Sequence, residues 1–226
     1  MSTHSYQAQP ILDTPILGQV VEGCVLGDAT IRRITGAHNT TNFFRMGQCT
    51  KGTDFLILVS RILTEHNVVV KMDLYHDRSA VDIRTASDIY WSGVRDRFYP
   101  NGVKVIPSDY IPTPVSLLFF YLSDGCFMPR EKYSKYYGKQ YQCITGESEW
   151  CYFATYPYEW SSVENLRDKI SQHMDAVGVI YKQRQNGKEL PRLVFRGSEC
   201  HKLLKVIGLR DLIPASMEYK FPLNTR

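Results

Sequence analysis

Two stretches are built to one plan: Pro15-Ile16-Leu17-Gly18-Gln19-Val20-Val21-Glu22-Gly23-Cys24-Val25-Leu26-Gly27-Asp28-Ala29 and Pro114-Val115-Ser116-Leu117-Leu118-Phe119-Phe120-Tyr121-Leu122-Ser123-Asp124-Gly125. In each, a proline opens an apolar run, and a small residue followed by aspartate closes it. Proline suits the first helical position, where its missing N–H costs no hydrogen bond. The runs are apolar on more than one face, the mark of a helix buried between other elements. Gly23 and Gly27 stand one turn apart and permit a second helix to approach closely. The second run carries Phe119 and Phe120 instead, so a pairing of the two helices would be asymmetric.

The segments after each run repeat as well. Thr30–Thr35 and Thr41–Cys49 read as strands around the polar turn Gly36–Thr40. Gly52–Glu65 reads as an amphipathic helix with Phe55, Leu56, Val59, Ile62 and Leu63 on one face. Val68–Tyr75 and Ala80–Thr85 suggest a second hairpin about His76–Ser79, and Ala86–Phe98 a helix that stops before Pro100. After Pro114–Leu122 comes strand-like sequence split by the polar, tyrosine-rich Arg130–Tyr141. Ser161–Met174 reads as a helix capped by Ser161 or Ser162, with Glu164 just inside. Val177–Gln183 and Arg192–Arg196 form a hairpin across Gln185-Asn186-Gly187, and Ser198–Ile207 is a last helix.

This order implies an internal duplication, with one half over residues 10–108 and the other over 109–226. Asp28 and Asp124 lie 96 residues apart. Lys104-Val105-Ile106-Pro107 closes the first half and Tyr219-Lys220-Phe221-Pro222 the second. The aspartate-to-lysine spacings are 76 and 96, and the excess matches an insertion of about the length of Arg130–Trp150. That insertion has two open readings, an extension that contacts a partner through its basic, tyrosine-rich start or a plain surface loop.

The bulk numbers set bounds. The chain has 226 residues, 27 Lys+Arg against 23 Asp+Glu, and 43% apolar residues including 15 Tyr, 10 Phe and 3 Trp. Such a chain builds a sizeable core and is not disordered. The net charge of +4 permits a polyanionic partner without requiring one. No apolar run approaches the length of a membrane span, and the polar Met1–Pro10 does not read as a secretory leader. The six cysteines form no C-x-x-C pair and read as reduced thiols of an intracellular protein.

The paired aspartates carry the chemistry. A carboxylate at a helix C-terminus meets the negative end of the dipole, and a bound cation would relieve that. Two carboxylates with Mg²⁺ and nearby lysines suit phosphodiester hydrolysis. Lys104 and Lys220 could then stabilise developing negative charge. On residue types alone, Asp28 and Asp124 could equally just end two helices. Basic side chains crowd the expected strands: Arg32, Arg33, Arg45, Lys71, Arg78 and Arg84 in the first half. Arg130, Lys132, Lys135, Lys139, Lys182, Arg184, Lys188, Arg192 and Arg196 follow in the second, interleaved with Tyr133, Tyr136, Tyr137 and Tyr141. The acidic residues fall largely in the helices, for example Asp88, Glu159, Glu164 and Asp168. Such strands suit a DNA groove, where some side chains read base edges and others hold phosphates, though an ordinary solvated sheet is also open.

The chain resembles the LAGLIDADG homing endonucleases, in the single-chain form with two motif copies. Val21–Ala29 looks like the first motif and Leu118–Gly125 like the second. Lys104–Pro107 with Pro112–Leu117 looks like the family's linker, and Ile213–Phe221 like its C-terminal signature. The resemblance implies an α+β fold of two pseudo-symmetric αββαββα repeats. The motif helices would form the central interface, and saddle-shaped antiparallel sheets would face DNA. It implies Asp28 and Asp124 as metal-binding acids, with Ala29 and Ser123 completing the metal site. Lys104 and Lys220 match the active-site lysines, and Gln48 a polar residue that organises water; its second-half match is Tyr156. The implied activity is Mg²⁺-dependent cleavage of both strands of a long asymmetric site, leaving 3′ overhangs, with Mn²⁺ or Ca²⁺ able to replace Mg²⁺ in binding. The expected partner is double-stranded DNA, the expected state a monomer, and the expected place wherever the encoding DNA resides, in an organelle (mitochondrion or chloroplast) or a prokaryotic cytoplasm. Two alternatives in the same fold are an intron-RNA maturase and a non-cleaving DNA-binding protein. A small-molecule enzyme would need a nucleotide loop or a triad motif, and neither occurs.

Overall fold

The computed structural model describes residues 14–35, 40–75, 79–129, 149–185 and 187–222. The first half runs α1 (Pro15–Leu26), β1 (Thr30–Thr35), β2 (Thr40–Cys49), α2 (Thr53–Glu65), β3 (Val70–Tyr75), β4 (Ala80–Thr85) and α3 (Ile89–Phe98). The second runs α4 (Pro114–Asp124), β5 (Gly125–Met128), β6 (Trp150–Phe153), α5 (Trp160–Met174), β7 (Val179–Gln185), β8 (Lys188–Arg196) and α6 (Ser198–Ile207). Each half builds its own antiparallel sheet, in the orders β1-β2-β4-β3 and β5-β6-β8-β7. Among the described residues no helix is long and apolar enough to cross a membrane.

Both motif helices start on proline behind a threonine cap. Thr14 accepts from Leu17 N, and Thr113 accepts from Ser116 N in a capping box. The two helices pack against each other at the centre, and Ser116 through Leu122 are buried without a break. At Gly23 a Cβ would overlap the Ser116 carbonyl oxygen and lie 2.8 Å from Phe119 Cβ. At Gly27 it would overlap Ser123 Cβ and lie 2.8 Å from Ser123 Oγ. Hydrogen therefore replaces a methyl at both crossing points so that the helix ends can meet. The remaining helices cover one face of the sheets: Phe55, Leu56 and Val59 of α2 and Leu203 and Leu204 of α6 join the same core as Phe44, Ile83, Phe153 and Phe195 from the strands.

Side-chain hydrogen bonds cross between the halves. Lys169 Nζ of α5 donates to Ser108 O at 2.5 Å, and also to Tyr110 O at 2.8 Å, so it grips the end of the first half. Ser216 N donates to Asp54 Oδ2 at 2.9 Å, and its hydroxyl also reaches that carboxylate, so the C-terminal turn is fastened to the start of α2. These bonds hold the Asp54 carboxyl below its ordinary range, against the upward push of burial.

Some expected boundaries change. α3 begins at Ile89 because Asp88, accepting from Tyr90 N at 2.8 Å, caps it. The α5 helix starts at Trp160 behind Glu159 with no side-chain cap, so neither Ser161 nor Ser162 has that role. The last hairpin is longer than expected: β8 already begins at Lys188, and Pro191, which offers no N–H, is tolerated opposite Lys182 of edge strand β7. α4 extends to Asp124 itself.

Candidate active site

Asp28 and Asp124 stand at the adjoining C-terminal ends of α1 and α4. The last carbonyls of a helix lack intrahelical partners, and lysines answer them here. Lys104 Nζ donates to Gly27 O at 2.5 Å and Ala29 O at 3.3 Å. Lys220 Nζ donates to Leu122 O at 2.6 Å, Tyr121 O at 3.3 Å and Ser123 O at 3.4 Å. Tyr158 from the second half donates to Leu26 O at 2.5 Å, and Tyr121 OH donates to Lys220 O at 2.8 Å. The helix ends therefore already carry cations from the chain itself, as the negative dipole end favours.

The electrostatics stay unbalanced. Burial, then the neighbouring Asp28 charge, pushes the Asp124 carboxyl up to about 6 despite Lys104 and Lys220. Burial lowers Lys104 to about 8, against the pull of Asp124 and Asp28. Burial lowers Lys220 in the same way, opposed chiefly by Asp28. The carboxylates of Asp28 and Asp124, with the carbonyls of the adjacent residues Ala29 and Ser123, are hard oxygen donors of the kind Mg²⁺, Mn²⁺ and Ca²⁺ accept. The donor set fits such an ion. Among the described residues no group of three or more His, Cys, Asp or Glu side chains offers a rival metal site.

Gln48, at the end of β2, donates from Nε2 to Asp28 Oδ2, and so lies within this cluster. The register shows which second-half residue corresponds. Thr30 pairs with Arg45, and Cys126 with Tyr152. Three residues on from these lie Gln48 and Thr155. Thr155, not Tyr156, therefore takes Gln48's place. It is buried, donating to Pro191 O at 3.0 Å and accepting from Leu193 N at 3.1 Å. Tyr156 instead accepts from Arg192 Nε at 2.5 Å.

The basic strand residues sort by the two-residue alternation of a sheet. In the first sheet Phe44, Met46, Val81 and Ile83 face the core, which puts Arg32, Arg45, Lys71 and Arg84 on the opposite, open face. Arg33 has the parity of buried Ile31 and pairs with buried Asn42, so it projects on the helix side. In the second sheet Leu193 and Phe195 are core, so Arg192 and Arg196 share the open face. Lys182 and Arg184 pair with Pro191 and Glu189, on the core parity, and lie on the other face. Three expected groove residues, Arg33, Lys182 and Arg184, are thereby corrected. Arg78, Arg130, Lys132, Lys135 and Lys139, with nearly all of the Arg130–Trp150 insertion, lie outside the described residues. Acidic residues also stand on the strands, contrary to expectation. Asp82 pairs with Arg45, Asp73 with Lys71 and Arg84, and Glu189 with Lys182.

The family model of the LAGLIDADG DNA endonuclease family matches residues 18–203. The chain belongs to that family. The match takes in Asp28, Gln48, Lys104 and Asp124 and ends before Lys220. Solved LAGLIDADG structures share the fold. The homing endonuclease I-WcaI bound to its DNA recognition sequence superposes with a TM-score of 0.69 at 16% identity, over 97% of this chain and 94% of that one. I-DmoI in complex with DNA and Ca gives 0.57 at 11%, over 93% and 95%. I-LtrWI, a LAGLIDADG homing endonuclease bound to target DNA, gives 0.53 at 10%, over 90% and 86%. No curated protein sequence matches the chain. At these identities the superpositions speak for the α+β fold of two helix-and-sheet halves. Tyr158 and Tyr121, which tie down the helix ends, carry no sequence signal beyond their type.

Proposed function

We propose that this LAGLIDADG endonuclease is a Mg²⁺-dependent, site-specific enzyme that cuts both strands of a long asymmetric DNA target and leaves 3′ overhangs. The observation that carries this reading is the junction of α1 and α4: two carboxylates, that of Asp124 raised by burial and by the Asp28 charge, with buried Lys220 and half-buried Lys104 donating to the same helix ends, at a place open to a ligand on the Asp28 side. Solved relatives in complex with DNA and Ca and with DNA and Mn support a divalent ion there. Asp28 and Asp124 would hold the ions, with the carbonyls of Ala29 and Ser123 close by. Such an ion lowers the pKa of bound water and neutralises phosphate charge. Gln48 orients the Asp28 carboxylate through its amide N–H. Lys104 and Lys220 keep positive charge beside the scissile phosphates while holding the helix ends in place. The unlike sheets favour an asymmetric site, and the two motifs on one chain favour a monomer. The enzyme acts in the compartment that holds its own gene.

The test is cleavage of a randomised double-stranded library with Mg²⁺ and with EDTA. The expected result is Mg²⁺-dependent enrichment of one long asymmetric site, lost in Asp28→Asn and Asp124→Asn while binding persists. Full cutting by either variant removes that residue from the site, and binding without cutting under all conditions refutes the endonuclease reading.

A further inference from the structure

On the open face of the first sheet, Asp73 and Asp82 stand directly opposite each other on neighbouring strands. Like charges in that position repel, and on a surface meant for phosphates they weaken attraction. Their cost is offset by neighbouring cations. Arg45 donates to Asp82 Oδ2 from Nε at 2.9 Å and also from Nη2. Lys71 Nζ lies 3.0 Å and Arg84 Nε 3.1 Å from the Asp73 carboxylate. Three cations and two acids leave this network with one net positive charge, little for phosphate binding. Among the described residues of the second sheet's open face there is no acid. There Arg192 lies 4.5 Å from the Tyr152 ring centroid and Arg196 4.4 Å from that of Tyr181.

The placement of Asp82 depends on a glycine. Gly47 is its partner on β2, and a Cβ there would overlap Asp82 Oδ1 and come within 3.4 Å of Cγ. With hydrogen at Gly47, the carboxylate lies across β2 towards Arg45. Asp82 is mostly covered, at 14% side-chain exposure, while Arg45 keeps 42%. The carboxylate takes the Nε–Nη2 side of the guanidinium, which leaves Nη1 and the second Nη2 hydrogen to form the outer edge. That edge matches guanine O6 and N7.

We propose that Gly47, Asp82 and Arg45 form a base-reading unit, in which Asp82 is the positioning residue that aims Arg45 at a guanine in the half-site under the first sheet. This inference rests on the endonuclease reading and adds how one sheet reads sequence. Double-stranded libraries randomised across that half-site are cut with wild type, Asp82→Asn, Gly47→Ala, Arg45→Gln and the double variant Arg45→Gln/Asp82→Asn, with thermal stability followed in parallel. Wild type is expected to prefer guanine at one position. Asp82→Asn and Gly47→Ala should each lower that preference by roughly tenfold at that position alone. Arg45→Gln should abolish it, with no further change in the double variant. Asp82→Asn should also steepen the salt dependence of binding, because Arg45 is released towards phosphates. An unchanged base profile in Asp82→Asn, or an equal loss at every position, overturns the inference. If Asp82→Asn does not fold, Gly47→Ala, which retains every charge, carries the same test. Wild type that cuts no library member refutes the endonuclease reading and this inference together. Wild type that cuts, but whose base preferences survive Arg45→Gln, refutes this inference alone.

Discussion

Alanine at Gly23 and alanine at Gly18 should have opposite effects on stability, although both replace glycine inside α1. Each substitution gains about 1 kcal/mol of helix propensity. At Gly18 no atom lies within 4 Å of the new methyl, so that gain is retained. At Gly23 the methyl would sit 2.8 Å from Phe119 Cβ, inside the 3.4 Å at which ordinary contact begins, and nearer still to the Ser116 carbonyl oxygen. Backbone cannot rotate out of the way, so α1 and α4 must separate. Overpacking of this kind costs about 3 kcal/mol. The propensity gain is common to both variants, so the gap between them isolates the strain at the interface. With a urea dependence of about 3 kcal/mol per molar, the two unfolding midpoints should differ by about 1 M. Gly23→Ala should also cut more slowly than Gly18→Ala, because the same two helices carry Asp28 and Asp124. Equal midpoints would refute the claim that close helix approach at Gly23 sets the geometry of the site.

Three further outcomes follow from the site. The Asp124 carboxyl is raised from 3.8 to about 6 in the fold, so its charged form is disfavoured there. In EDTA it contributes stability below pH 4 that is lost as pH rises through 6, about 3 kcal/mol in all. Asp124→Asn should therefore gain on wild type in denaturation midpoint between pH 4 and pH 7, and a constant difference across that range would refute the shift. Lys220→Met keeps the apolar stem but leaves Leu122 O without its donor. It should remain folded, lose about 1–2 kcal/mol of stability and slow single-turnover cleavage about a hundredfold; a wild-type rate would exclude the lysine from the reaction. Binding of the enzyme to its target should weaken at least about a hundredfold between 50 and 200 mM salt, as counterion release requires, and a flat response would remove the open sheet faces from DNA contact.

Much of this architecture is legible in residue patterns, because those patterns are local. Pro15 and Pro114 behind threonine caps, the apolar runs after them and the alternation of Thr30–Thr35 and Ala80–Thr85 each answer to the backbone within a few residues. The repeat order follows from the same signals, which also set Lys104 and Lys220 at matching places. The facing of a side chain is not local. A run of basic residues such as Arg32-Arg33 or Lys182–Arg184 has a charge that composition reveals, but its facing depends on which neighbours are core. One residue of parity moved Arg33 to the helix side and Lys182 and Arg184 to the far face. Chain order points to Tyr156 as the counterpart of Gln48, while the strand pairings, which join residues far apart in the chain, put Thr155 in that place.

Local signals along the chain set the elements, their duplication and the chemical types available: two aspartates, two lysines, and strands rich in arginine. Those depend on hydrogen bonds and periodicities that close within a turn or a hairpin. What the charges do is settled by packing. Asp124 is pushed up because burial and Asp28, 96 residues away in sequence, reach it together. Lys104 and Lys220 become helix caps because the chain returns to α1 and α4 after each sheet. Asp82 reaches Arg45 because the register sets Gly47, which has no side chain, opposite Asp82 and two residues from Arg45. Electrostatic effects fall off with distance in space, not along the chain, so they are settled only when the chain has folded.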